Sequence, residues 1–278
     1  MAKSSDYDRR IYYEKAKSYA AMTRLLLTKE EKLLAQANKN TPQSPLQKLV
    51  LSDEMLNLTS FYITINGISQ AVLKIKNEEA LNEARKSLYK AVIYLEEVVS
   101  DQIDASFSDY EEKLAAIESF CPDRRYKLIC KMGFAIDLLE LSYGDNTKWR
   151  WTFVEIEGRF AAAAKNIINF KNVYNYMSPE SEYYESVIYH IRLMKKLLAQ
   201  AADRYREKYE LSTGQIHDFK AGISFLSALR RVHIVLAENE ESQEIKKKLV
   251  IWSQKLEADI KKQELSAKPP EAELKKIK

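Results

Sequence analysis

Three histidines, two cysteines and 40 acidic side chains are the groups in this chain that could ligate a metal, attack an electrophile or move a proton. A helical di-metal site places Glu three residues before each liganding His, so that both project into one bundle core. The residues three before His190, His217 and His233 are Val187, Gly214 and Arg230, which excludes that arrangement. His217 adjoins Asp218, but neighbours on a helix point about 100° apart, so no catalytic dyad is expected from the pair. His233 follows Leu226 by seven residues and shares its face, the position of a partly buried histidine hydrogen-bonded to a neighbour. Cys121 and Cys130 form no CxxC pair and have no His beside them, so they read as reduced structural thiols. Phosphate-binding glycine loops and a Gly-x-Ser-x-Gly nucleophile turn are absent as well. The expectation is a non-enzymatic chain that needs no cofactor and no metal.

Three clusters have residue types suited to binding. Trp149, Arg150 and Trp151 place two of the three tryptophans beside a cation at a helix start, and Trp151 lies about 200° around the helix from Trp149. Trp149 continues into an apolar series and reads as core. Trp151 leads to Glu155 and Gly158, a polar face, so its ring is expected to stay partly exposed and to anchor either a neighbouring helix or a partner. Arg124, Arg125 and Tyr126 follow Pro122 in a first helical turn, where free N–H groups attract anions, although surface ion pairs account for such cations equally well. Lys246, Lys247, Lys248, Lys261 and Lys262 border the stripe Ile245, Leu249, Trp252, Leu256, Ile260 and read as a basic surface. Seventeen tyrosines add residues that suit the edges of helix interfaces.

The elements that position these clusters are read from spacing. Only six Gly and six Pro occur in 278 residues, which leaves few tight turns and favours long helices. Hydrophobic content of 46% with 30% charged residues is ample for a core. Apolar residues recur at alternating intervals of three and four, as in Leu81, Ala84, Leu88, Ala91, Leu95, Val98 and in Ile129, Met132, Ile136, Leu139, Tyr143. The longest such series runs from Trp149 to Met177, and another from Tyr184 to Tyr205. Strand-like alternation of useful length is missing. The fold class is therefore all-α: an elongated antiparallel helical bundle or helical array of about eight long helices.

Helix boundaries follow from caps and breakers. Breaks are expected near Asn40 to Pro45, near Asn77, at Cys121–Pro122, at Gly144 with Asp145, Asn146 or Thr147 as the next cap, and around Glu238 to Ser242. Ser178–Pro179 has the form of an N-cap with proline at the first helical position, and Ser212 with Gln215 that of a capping box. Residues 77–120 fit one helix of about 40 residues, interruptible at Ser106 to Asp109. This divides the chain into 1–120 with three long helices, 121–265 with about five, and a flexible basic tail at 266–278, with no linker visible between the first two groups.

Net charge of +4, from 44 basic against 40 acidic residues, is too balanced to recruit nucleic acid by itself. Met1 to Arg10 lacks the apolar core of a secretion signal, and no run of about 18 apolar residues occurs, so a cytoplasmic location is expected. The leading functional expectation is an interaction or scaffold protein whose interhelical grooves receive another protein or a second copy of itself. The alternative is a membrane-surface or nucleic-acid binder acting through the basic last helix and tail.

Overall fold

The computed structural model of the chain describes residues 5–144 and 149–267. Helix makes up 82% of the structure, with ten α-helices, eight of them long, and no strand among the described residues. Two compact units are formed, Met1–Leu197 and Leu198–Lys278.

The first unit begins with α1 (Asp6–Ala37), α2 (Ser44–Leu73) and α3 (Glu78–Val98). Connections this short force neighbouring helices to run antiparallel. Ser5 closes a capping box with Asp8 at the start of α1, and the Asn77 side chain accepts from Ala80 N–H to start α3. The α3 stripe Leu81, Ala84, Leu88, Ala91, Leu95, Val98 is buried throughout, as its spacing requires. Glu30 reaches from α1 to α3, where its buried carboxylate accepts from Lys90 Nζ and Tyr94 Oη, both at 2.8 Å. Against α2 and α3 packs α5 (Pro122–Tyr143), through Ile129, Met132, Ile136, Leu139 and Tyr143. The helix α6 (Arg150–Asn166) completes this core, with Phe153, Ile156, Phe160 and Ala163.

Several boundaries differ from the expectation, each for a local reason. The 77–120 segment does not continue as one helix, because α3 ends at Val98 and Asn166 Nδ2 donates to the carbonyls of Ser100 and Gln102, fixing an irregular path. A 3-10 turn at Phe107–Asp109 and the short α4 (Glu111–Ala115) follow. The series from Trp149 to Met177 breaks after Asn166, where side chains from elsewhere take over the carbonyls that a longer helix would use, and only the one-turn α7 (Val173–Tyr176) forms beyond it. Ser178–Pro179 lies in a turn, and α8 (Tyr184–Lys208) starts five residues later than that cap predicts. Asp145, Asn146 and Thr147 lie outside the described residues, as does the tail from residue 268 onward. Within the unit Met1–Leu197, α5 and α6 share a single core with α2 and α3.

The second unit holds the end of α8, then α9 (Ile216–Val235) and α10 (Asn239–Ala267). A π-helical turn at Tyr209–Thr213 ends α8, and Gly214 at φ 58 exits it. Ser212 does not cap α9; the cap residue is Gln215, and Thr213 Oγ1 instead donates to the buried Asp218 at 2.6 Å. The core is an aromatic stack in which Phe219 lies parallel to Tyr209 at 5.0 Å and tilted against Trp252 at 5.6 Å. Gly222 permits the close approach of α8 and α9, since a Cβ there would sit 3.0 Å from the Ala202 carbonyl oxygen.

Candidate functional site

The first turn of α5 combines an extended Cys121 as cap, Pro122 at the first helical position, and three consecutive residues that helical geometry sends in three directions. Asp123 compensates the free N–H end; its bonds to Lys127 and to Ser186 Oγ hold its carboxyl below the usual range.

Arg125 points inward and is only 5% exposed. Its Nε donates to the Phe120 carbonyl at 2.7 Å, Nη1 to Ile167 and Nη2 to Ile117, both at 3.0 Å. It thus closes the carbonyl ends of α6 and of the 110–120 segment, and burial lowers its pKa. The expected surface anion site of Arg124, Arg125 and Tyr126 therefore does not form as a unit. Tyr126 stacks on Tyr189 at 6.4 Å and tilts against His190 at 5.9 Å, and its hydroxyl, hydrogen-bonded to Cys130, is pushed up to about 12. Arg124 alone remains exposed, its guanidinium 5.6 Å from the Phe120 ring and without an ion-pair partner among the described residues.

Arg124 opens onto a groove of about 510 Å³ between α2 and α5. Leu46, Leu49 and Val50 form one wall, and Phe120 and Leu128 the other. Lys127 and Lys131 rim it, paired to Asp123 at 2.8 Å and Asp53 at 2.6 Å. Along the same outward stripe of α5, at intervals of four, three, four and three, follow Lys127, Lys131, Phe134, Leu138 and Leu141. Phe134 is 63% and Leu141 76% exposed, large values for side chains of that size. Sequence reasoning found the buried stripe of α5 and overlooked this second one, although its 3–4 spacing was equally readable.

The Trp149, Arg150, Trp151 cluster is split. Trp149 is half-buried rather than core, 6.0 Å from Tyr143 and beneath the Arg85 guanidinium at 4.6 Å. Trp151 is half-buried, and the exposed Arg150 lies 5.0 Å from its ring. On α10, Lys246, Lys247, Lys261 and Lys262 are exposed, whereas Lys248 pairs with Asp203 at 2.9 Å and sits 4.9 Å from the Trp252 ring. Six acidic residues balance the six basic ones of α10, so this helix carries no net charge.

His233 is buried and lies 2.6 Å, at Nδ1, from Glu238 Oε2. His217 is exposed, yet its Nε2 comes within 3.5 Å of Asp218 Oδ1, contrary to the expected divergence; Asp218 is already bonded to Lys208 and Thr213. No group of three or more His, Cys, Asp or Glu side chains is arranged for a metal among the described residues. Nor is any of their helices long and apolar enough to cross a membrane.

His190 is buried, 4% exposed. Its Nε2 donates to the Ala164 carbonyl at 3.0 Å, and burial, opposed by that bond and aided by Arg125, lowers its pKa to about 4. The unfolded chain, with a histidine near 6.5, binds a proton that the folded state refuses. Stability from this group is therefore complete above pH 6.5 and falls as the pH drops, by about 2 kcal/mol at pH 5 and about 3 at pH 4. Urea midpoints measured from pH 7 to 5 should show this loss. His190→Gln, which retains a donor for Ala164, should be nearly flat over the same range.

No curated protein and no solved structure matches the chain. A family model does match, over residues 8–260, a span running from the first turns of α1 to the later turns of α10. With nearly all of its helical length covered, the chain belongs to the TP0443 family.

Proposed function

We propose that this is a non-enzymatic cytoplasmic interaction protein whose α2–α5 groove receives an amphipathic helix bearing carboxylates on its polar edge. The observation that carries the reading is the groove, rimmed by Arg124, Lys127 and Lys131, together with the exposed Phe134 and Leu141 further along the same outward stripe of α5. Helix-in-groove partners bury residues at i, i+3, i+4 and i+7, and the α5 stripe offers positions at the matching spacing. Arg124 has no ion-pair carboxylate among the described residues, and an acidic partner helix would supply one. The unpaired cysteines support the reducing compartment.

Labelled helical peptides of about 18 residues, identical in apolar face and carrying either Glu or Lys beside it, test the reading by fluorescence anisotropy. The acidic peptide should bind. Phe134→Asp and Arg124→Glu should each weaken it tenfold or more, about 1.4 kcal/mol, with melting unchanged because both side chains are exposed. Equal binding of the two peptides, or indifference to both substitutions, would refute the groove as the site.

A further inference from the structure

We propose that the outward face of α10 pairs with the same face of a second copy of this chain, the two helices running antiparallel about a dyad near Trp252. The inward side of α10 is engaged within its own unit: Trp252 packs on Phe219, Lys248 pairs with Asp203, and Asp259 accepts from Tyr209 and Lys255. On the other side, at helical spacing, lie Glu244, Lys247, Val250, Ile251, Glu257 and Lys261, all exposed. Val250 is 49% and Ile251 64% exposed. A single exposed aliphatic residue is ordinary, but two adjacent ones midway along a 29-residue helix, with charges on both sides, have the layout of an apolar centre and a polar rim.

The charges identify the occupant. Glu244, Lys247, Glu257 and Lys261 have no ion-pair partner among the described residues, whereas Lys248 and Lys255 on the inward side are paired. Glu244 and Lys247 lie eight and five residues before Trp252, and Glu257 and Lys261 five and nine after it. An antiparallel second copy therefore sets Lys261 opposite Glu244 and Glu257 opposite Lys247, and by symmetry each pair occurs twice. It also brings Val250 and Ile251 of both copies within about one helical turn of the dyad. A parallel pair in register would oppose Glu to Glu and Lys to Lys at every one of these positions.

The face is thus self-complementary in one direction only, which is what a two-fold interface between identical chains requires. The six acidic and six basic residues of α10 cancel, so two copies meet here without net repulsion. Exposed ion pairs set the direction more than the strength, and the four aliphatic side chains at the centre supply the affinity. One helix per copy is a small interface, so the dimer should be reversible, with a Kd on the order of 10–100 µM. This inference does not rest on the α2–α5 groove, whose residues belong to the first unit whereas α10 belongs to the second.

Sedimentation equilibrium of the full chain in reductant, across roughly 5–500 µM so as to bracket that Kd, should show a monomer–dimer equilibrium. Ile251→Glu should weaken it about tenfold or more. Lys247→Glu and Glu257→Lys each set like charges opposite one another in the antiparallel pair and should each weaken the dimer about threefold, whereas the double variant re-pairs them and should return to about the parent value. All three side chains are exposed, so melting temperatures should match the parent, which separates lost pairing from lost folding. A chain that stays monomeric through that range, a dimer indifferent to Ile251→Glu, or a double variant that associates no better than either single one would each overturn the proposal.

Discussion

Arg125→Met should destabilise the protein by roughly 3–5 kcal/mol, although it replaces a buried charge by an apolar side chain of similar length. The reason lies in what the guanidinium leaves behind. The carbonyls of Phe120 and Ile167 lose their donor, whereas that of Ile117 keeps the Phe120 N–H at 3.0 Å, and an orphaned buried acceptor costs about 1–3 kcal/mol. Removing the desolvated charge offsets part of this, which is why the expectation is not the full sum. Arg125→Lys should fall between the two, because an ammonium on a flexible stem cannot hold three diverging carbonyls. Urea denaturation monitored by circular dichroism measures both variants. A Met variant within about 1 kcal/mol of the parent would mean that water or a rearranged backbone satisfies those carbonyls, and that Arg125 is not the clamp at the end of α6.

The second large effect is expected in the second unit. Phe219 is fully buried between Tyr209 and Trp252, and Phe219→Ala should cost about 3–5 kcal/mol through lost transfer energy and the void left in the stack. Phe219→Leu, which restores most of the volume but not the parallel ring contact, should cost less than half as much. Melting followed by tryptophan fluorescence reads the change at Trp252, which is 3% exposed and should become quenchable by iodide as the stack loosens. Equal losses for Ala and Leu would assign the stability to ring stacking rather than to filled volume.

The all-α class was legible because scarce glycine and proline and the 3–4 apolar alternation act locally, and neither depends on what the helices pack against. The buried stripes of α3 and α5 were legible for the same reason. What escaped was every feature set by a residue distant in the chain. The helix expected through residue 120 stops because Asn166 takes the carbonyls of Ser100 and Gln102, and the seam from Trp149 stops because Arg125 and His190 take those of Ile167 and Ala164. Local spacing carries no trace of such partners, since hydrogen bonds spanning 26 to 66 residues form only once the core has brought the helices together. Arg124, Arg125 and Tyr126 show the same division at one turn of helix. Their sequence identified cations near a helix start, but only the packing of α5 decided that Arg125 turns into a cavity while Arg124 stays on the rim of a groove. A helical stripe announces itself by period, whereas whether it meets another helix or solvent depends on the number of neighbours available to cover it. For Phe134 and Leu141 the described structure supplies no such cover.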